Sequence, residues 1–323
     1  MDGEAGVWAG CGARGERMKE QKNRQALGVV LTLTGGCLWG LCGSCGQFLF
    51  QYKKVTSDWL VPIRLTSAGL LILLYLAVRQ RKKVLAVWKE REGRRDILVF
   101  SIFGMMLCQY SYFTTIQYSN AGTATVLQYT GPALILVYLC FRNRKKPKRY
   151  ELIALFCSMF GTFILATHGH LSELAIPAKA LVWGITSAVT LVVYTLQPAG
   201  LMRKYSTLLT LGWGMLIGGL VLMLLMNPWR LHPLVDGQAI LALGFIVLFG
   251  TIFAFDFYLT GVKLVGASSA SMLACIEPVA ATVFSVAWLK VEFQSIDFIG
   301  FVFVISTVFI ISLNQMREET GRR

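Results

Sequence analysis

The 323-residue chain predicts an all-α polytopic membrane protein, with ten transmembrane helices arranged as two inverted five-helix repeats. Three observations predict this class. Apolar residues fall in long blocks, basic residues collect in alternate connections, and the second half of the chain repeats features of the first. The composition is 55% hydrophobic and 15% charged, and the mean hydropathy is +0.59. Soluble domains carry about 25% charged residues.

A hydrocarbon core of about 30 Å takes about 20 helical residues at 1.5 Å rise each. The blocks that reach or nearly reach that length are 26–50, 58–78, 97–117, 120–141, 150–167, 178–200, 206–226, 238–261, 264–289 and 294–313. Helices are the expected form, because backbone polar groups must be satisfied without water. The blocks are too long for barrel strands and lack their period of two. Residues 1–25 read as a polar, basic N-terminal tail, expected to be disordered. They hold no apolar core of the kind a signal peptide needs. Met18 is an alternative start, since "MKEQKNRQALG" leads straight into the first span. Residues 26–167 form the first expected repeat, 178–313 the second, and 314–323 a cytoplasmic tail.

The net charge of +14 would point to nucleic acid in a soluble protein. Here it is read as topology, because Lys and Arg concentrate in cytoplasmic loops. With the N-terminus inside, 25 of the 31 basic residues lie on the inner side and five on the outer side; Arg64 lies within a span. Both termini are therefore expected in the cytoplasm of a cell membrane, with the lipid bilayer as solvent and no nucleic-acid partner.

Other chemistry is thinly represented. Seven of the eight cysteines fall within spans, where cysteine packs as a small residue. "CGSC" at 42–45 has no second pair to complete a zinc site. His168, His170 and Glu173 in "THGHLSEL" read as a solvated loop rather than a metal site. There is no G-x-x-x-x-G-K-[ST], H-E-x-x-H or G-x-S-x-G, so neither an ATP site nor a common hydrolase site is expected. No cofactor is expected.

The repeat emerges when residues 94–166 are written under 240–312, an offset of 146. Gly104 then meets Gly250, Tyr112 meets Tyr258, Ala121 meets Ala267, Pro132 meets Pro278 and Glu151 meets Asp297. At an offset of 150, Gln47 meets Gln197 and Gly69 meets Gly219. Five spans per half is an odd number, so the second half enters the membrane from the opposite side. Inverted repeats of this kind place a transporter's binding site near the midplane, where the halves meet.

The segments "NAGTATVLQYTGPALILVYL" and "GASSASMLACIEPVAATVFSVAWLKVEFQSIDFIG" resemble the EamA family of the drug/metabolite transporter superfamily. The resemblance covers about 26–313, and Ala267, Glu277, Pro278, Trp288, Glu292 and Gly300 sit at matching positions. The first half departs from it: Gly131 stands at the place of Glu277 and Lys146 at that of Glu292. The resemblance implies a secondary transporter of amino acids, metabolites, cofactors or toxic compounds, and it names no substrate.

Glu277 is the only charged residue in the 26 between Lys263 and Lys290. An acid at the centre of a spanning helix costs roughly 2.5–3.5 kcal/mol on insertion scales. Pro278 removes the donor that would satisfy the carbonyl of Ala274, and Pro132 does the same for Gln128, so both prolines should kink their helices. Glu277 is a candidate for binding a substrate cation or a proton; the competing reading is an inert, hydrogen-bonded packing acid. Asp256 is a second proton-coupling candidate, unless it pairs with a base at the inner face. Arg64 has the fork to bind a carboxylate or phosphate, and its rival roles are snorkelling to headgroups or pairing with Glu277. Gln47, Gln109, Gln128 and Gln197 could line a wet cavity, with Trp39, Tyr110, Tyr112, Tyr129, Tyr194 and Tyr258 as its walls. Gly36, Gly40, Gly43 and Gly46 form one stripe for close helix contact.

The expected function is secondary active transport of a small polar metabolite, an amino acid or related compound, by alternating access, driven by protons or another ion. The rivals are a membrane-embedded enzyme on lipid-linked substrates, with Glu277 and Asp256 as acid and base, and a non-transporting receptor or assembly subunit. Direction and oligomeric state stay open.

Overall fold

The computed structural model describes residues 3–119, 121–167, 177–289 and 295–320. Every regular element among them is helical. Helix α1 is Gly3–Tyr52, α2 Ser57–Val84, and α3 Arg91–Tyr118. Helix α4 has two parts, Ala121–Gln128 and Gly131–Asn143, and α5 is Arg149–Thr167. Then come α6 (Ala178–Lys204), α7 (Thr207–Met226) and α8 (Gly237–Val265). Helix α9 joins Ala267–Leu273 to Glu277–Leu289, and α10 is Ser295–Thr320. Seven helices among the described residues are long and apolar enough to cross a membrane, and Ala267–Ala281 and Ser295–Ile311 are shorter apolar stretches.

Helix α1 starts at Gly3, within the tail expected to be disordered, although its apolar span begins only at Asn23. Residues 13–27, "ARGERMKEQKNRQAL", are rich in Ala, Arg, Glu, Met and Lys, which lose little freedom in a helix. The helix therefore runs on past the apolar part. Helix α10 likewise passes residue 313 and ends at Thr320. The matched acids Glu151 and Asp297 both sit in the first turn of their helices, α5 and α10. There they favour the positive end of the helix dipole.

Apolar side chains fill the interior and also cover the outside, unlike in a soluble protein. Large apolar side chains lie outside, with Val78 80% and Phe141 88% exposed. Thr32, Ser101, Ser111, Thr115, Ser187, Thr195 and Thr251 are buried. Most of these hydroxyls donate back into their own helix, as Ser111 does to the Leu107 carbonyl at 2.6 Å and Thr251 to Ile246 at 2.7 Å. They fill space between helices without leaving a donor unpaired.

The main helix pairs are α2 with α7, α5 with α10, α1 with α8, and α3 with α6; α9 packs along α1, and α4 along α6. Exchanging α1–α5 for α6–α10 leaves this set of pairs unchanged. Glycines set the closest crossings. A Cβ on Gly69 would fall 2.7 Å from Leu216 Cα, and one on Gly219 would fall 2.9 Å from Thr66 Cα. Residue numbers rise along α2 as their partners fall along α7, so these two helices are antiparallel. Helices α1 and α9 run parallel: Gly36 faces the carbonyl of Ala274, and Gly40 faces Ala280 and Ala281.

Irregular turns also occur in pairs. Residues Phe100–Met106 of α3 and Leu248–Phe253 of α8 are π-helical, and they contain the matched Gly104 and Gly250. Helix α4 is interrupted at Tyr129 and Thr130, with Pro132 in the first turn of its second part. Helix α9 passes through a 3₁₀ turn, Ala274–Ile276, immediately before Glu277 and Pro278. Helix α6 is also interrupted, at Gln197 and Pro198.

Among the described residues, two ion pairs join the halves at opposite ends of α2. Beyond the end of α1, Lys53 Nζ donates to Asp236 Oδ2 at 2.5 Å and to Gln238 Oε1 at 3.1 Å. Asp236 also caps α8, accepting from the Ala239 N–H at 2.9 Å. At the other end, Lys204 pairs with Glu90, the residue that precedes α3. Glu90 and Asp236 are related by the offset of 146, and Lys204 is related by 150 to Lys54, the neighbour of Lys53.

Candidate functional site

A narrow space of about 40 Å³ lies among helices α1–α4, α6, α8 and α9. Helix α1 supplies Trp39, Cys42 and Gly43; α2 supplies Arg64; and α3 supplies Cys108, Gln109, Tyr112 and Phe113. Gln128 of α4, Leu191 and Tyr194 of α6, Gly250 and Phe255 of α8, and Glu277 of α9 complete the wall. About 10–15 Å³ of such space holds one water, so this conformation has room for a few waters and for no metabolite.

Glu277 is 5% exposed and sits where α9 resumes after its 3₁₀ turn. Tyr112 Oη donates to its Oε1 at 3.0 Å, and Tyr129 Oη donates to its Oε2 at 2.8 Å. Net, hydrogen bonds to a charged group contribute about 1.5–3 kcal/mol each. Two of them offset an insertion cost of roughly 2.5–3.5 kcal/mol.

Each tyrosine also has a second acceptor. Tyr129 Oη lies 3.0 Å from the Ala274 carbonyl, the group that Pro278 leaves without its helical donor. Tyr112 Oη lies 3.1 Å from Thr125 Oγ1, whose own proton goes to the Ala121 carbonyl at 2.7 Å. The network therefore satisfies either state of the acid. With Glu277 ionised, both hydroxyls donate to it. With Glu277 protonated, its O–H donates to a tyrosine oxygen, and that tyrosine turns to its other acceptor.

Arg64 is 1% exposed, so it neither snorkels nor meets headgroups. Its Nη2 donates to Gln109 Oε1, its Nη1 to Cys42 Sγ at 3.9 Å, and the guanidinium stands 4.3 Å from the Phe113 ring centroid. Among the described residues no ion pair joins it to Glu277. Gln128 Nε2 donates to Ser187 Oγ at 2.8 Å, which ties α4 to α6 beside the cavity. Tyr258 stands behind the wall: it stacks on Tyr194, contacts Trp39, and shares a hydrogen bond of 3.2 Å with Thr195.

Three candidates lie elsewhere. Gln47 is half-buried on α1, beyond the residues that line the cavity. Gln197 is at the α6 interruption, where its Nε2 donates to the Asp96 carbonyl at 2.9 Å. Asp256 is half-buried on α8 and belongs to none of the described ion pairs; Lys263 Nζ donates instead to Thr207 Oγ1 at 3.0 Å. The loop with His168, His170 and Glu173, and also Glu292, falls outside the described residues, as does the Trp288 side chain.

Gln109 and Tyr129, both candidates from the sequence, are found at the site, whereas Cys42 and Cys108 line the cavity although cysteine reads only as a packing residue. Their periodicity carries a signal. Residues 108, 109, 112 and 113 form one face of a helix, as do 39, 42 and 43.

A multi-pass helical bundle, apolar outside and with polar groups at its centre, defines an integral membrane protein with an internal polar cavity. The profile of the EamA-like transporter family matches residues 26–167 and again 178–313. The chain belongs to that family. It is 36% identical over 291 residues to the uncharacterized inner membrane transporter YicL of Salmonella typhimurium, covering 90% of this chain and 97% of that one. It is 23% identical over 293 residues to the uncharacterized inner membrane transporter YedA of Escherichia coli, covering 87% and 90%. A solved crystal structure, 17% identical, shares the fold with a TM-score of 0.72 over 90% of this chain and 98% of that one.

Proposed function

We propose that the protein is a secondary active transporter that moves a small polar metabolite, an amino acid or related compound, across the cytoplasmic membrane by alternating access. In this reading ten spans form two inverted repeats, 26–167 and 178–313, with both termini in the cytoplasm. Support for the inversion comes from the antiparallel crossing of α2 with its repeat mate α7. A helix pairing that survives exchange of the halves adds to it. The Lys53–Asp236 and Lys204–Glu90 pairs act as latches at the two ends, each closing the cavity from one side. Matched latches favour two states of similar energy, which alternation requires.

The observation that carries the proposal is the second acceptor beside each tyrosine at Glu277. A structural carboxylate needs its donors only in one state. Here Glu277 can gain or lose a proton without leaving a buried group unpaired, as a proton carrier must. Asp256 is the weaker coupling candidate, because it does not line the cavity.

The test is Glu277→Gln, which keeps the shape and the hydrogen-bonding capacity but not the proton. Gradient-driven uptake into membrane vesicles should be abolished while the protein still reaches the membrane. Unchanged proton-coupled uptake removes Glu277 from the mechanism.

A further inference from the structure

A guanidinium buried inside a helix bundle costs several kcal/mol unless it is paired. Arg64 has no carboxylate partner among the described residues. Gln109, Cys42 and the Phe113 ring are neutral, and the Nε–H is buried without an acceptor. Arg64 and Glu277 nevertheless line the same cavity, from α2 and from α9. Opposite charges that line one space without pairing can each meet a ligand, Glu277 through the lone pairs that Tyr112 and Tyr129 do not use.

Resting on the reading that this cavity is the cargo site, we propose that Arg64 and Gln109 form its anion pole and Glu277 its cation pole. The cargo is then a small zwitterion, with its carboxylate on Arg64 and its ammonium toward Glu277. The guanidinium fork matches a planar carboxylate with two parallel N–H···O bonds. Gln109 and Cys42 hold the terminal nitrogens while the cavity is empty; being neutral, they are displaced without stranding a charge. Trp39, Phe113, Leu191, Tyr194 and Phe255 offer the cargo's side chain an apolar wall. The cavity must widen on binding, since 40 Å³ does not hold even a small amino acid. A cargo with only one charge would leave one pole buried and unpaired, which costs far more than a missing apolar contact.

The test uses thermal stabilisation of the detergent-purified wild-type chain by three matched probe sets. The first is L-alanine, L-leucine and L-phenylalanine. The second is the three corresponding amides, which lack the carboxylate. The third is propanoate, 4-methylpentanoate and 3-phenylpropanoate, which lack the ammonium. The amino acids should stabilise the protein, and the amides and simple acids should need at least about 30-fold higher concentration for the same shift. Arg64→Gln should erase the advantage of the amino acids over the amides while leaving their advantage over the simple acids. No stabilisation by the amino acids, or equal stabilisation by the amides, overturns the proposal in the wild-type chain, whether or not the variant folds. The measurement uses no gradient, so its failure is separable from that of the Glu277→Gln flux test.

Discussion

Tyr129 has one hydroxyl proton and two acceptors, the Glu277 carboxyl and the Ala274 carbonyl, which the Glu277 N–H also reaches. Replacing it with phenylalanine removes one donor from the buried carboxyl, which keeps Tyr112, while the Ala274 carbonyl keeps the Glu277 N–H. Tyr129→Phe should cost about 1–3 kcal/mol of stability, read as a lower melting temperature in detergent, and it should also slow gradient-driven flux. A variant as stable as wild type would show that water fills the place of the hydroxyl. Outside the spans, Asp236 has its carboxyl held below the usual carboxylate range, first by the Lys53 ammonium and then by the Ala239 N–H. A depressed folded-state value means that the pair contributes above the ordinary carboxylate range and is lost as pH falls through the lower value. The Lys53–Asp236 latch should therefore stay closed through neutral and mildly acidic pH. The expected result is that Asp236→Asn lowers the melting temperature in detergent by the same amount at pH 5 and pH 7.5.

At the scale of the element, the crossing of α2 with α7 depends on glycine, because main chain meets main chain there. A Cβ on Gly219 would lie 2.5 Å from Thr66 N, an atom that cannot rotate away. Gly219→Val should cost at least about 1–3 kcal/mol through overpacking. Gly244→Ala on α8 meets open space and should be neutral or stabilising by up to about 1 kcal/mol. Comparing the two melting temperatures checks both; equal effects would mean that the helices are free to move apart. The matched glycines of this crossing, Gly69 and Gly219, are legible in the sequence, and so are the prolines beside the breaks in α4 and α9. The π turns are not, because "FSIFGMM" and "LFGTIF" carry no marker except the matched Gly104 and Gly250. One residue too many per turn is stabilised by what the helix packs on, which no local pattern records.

Across the whole molecule, the proposed function assigns the alternation to the two end pairs. Lys53→Ala should favour opening at the end that holds Asp236, and Lys204→Ala opening at the end that holds Glu90. Alkylation of Cys42 by a membrane-impermeant reagent, in vesicles of both orientations, reads the direction. The two variants should raise labelling from opposite faces, and a shift toward the same face would sink the latch assignment. Exchanging the charges, Lys53→Asp with Asp236→Lys, should return labelling toward wild type.

The sequence by itself determined the class. Apolar blocks of membrane length, basic residues gathered in alternate connections and a repeat at 146 residues are properties of order and composition, and they survive any rearrangement of helices that keeps the chain in the bilayer. It also marked Glu277, Arg64, Gln128 and Tyr112, because polar groups are conspicuous in apolar surroundings. Only the tertiary structure decided which of the polar residues meet. Gln47 and Gln197 match in sequence and yet stand away from the cavity, whereas Tyr129 reaches Glu277 across 148 positions of chain. The physical reason is that a hydrogen bond needs about 3 Å and a direction, and these depend on how far each helix is rotated about its axis. Packing against several neighbours at once sets that rotation, and no single helix encodes it.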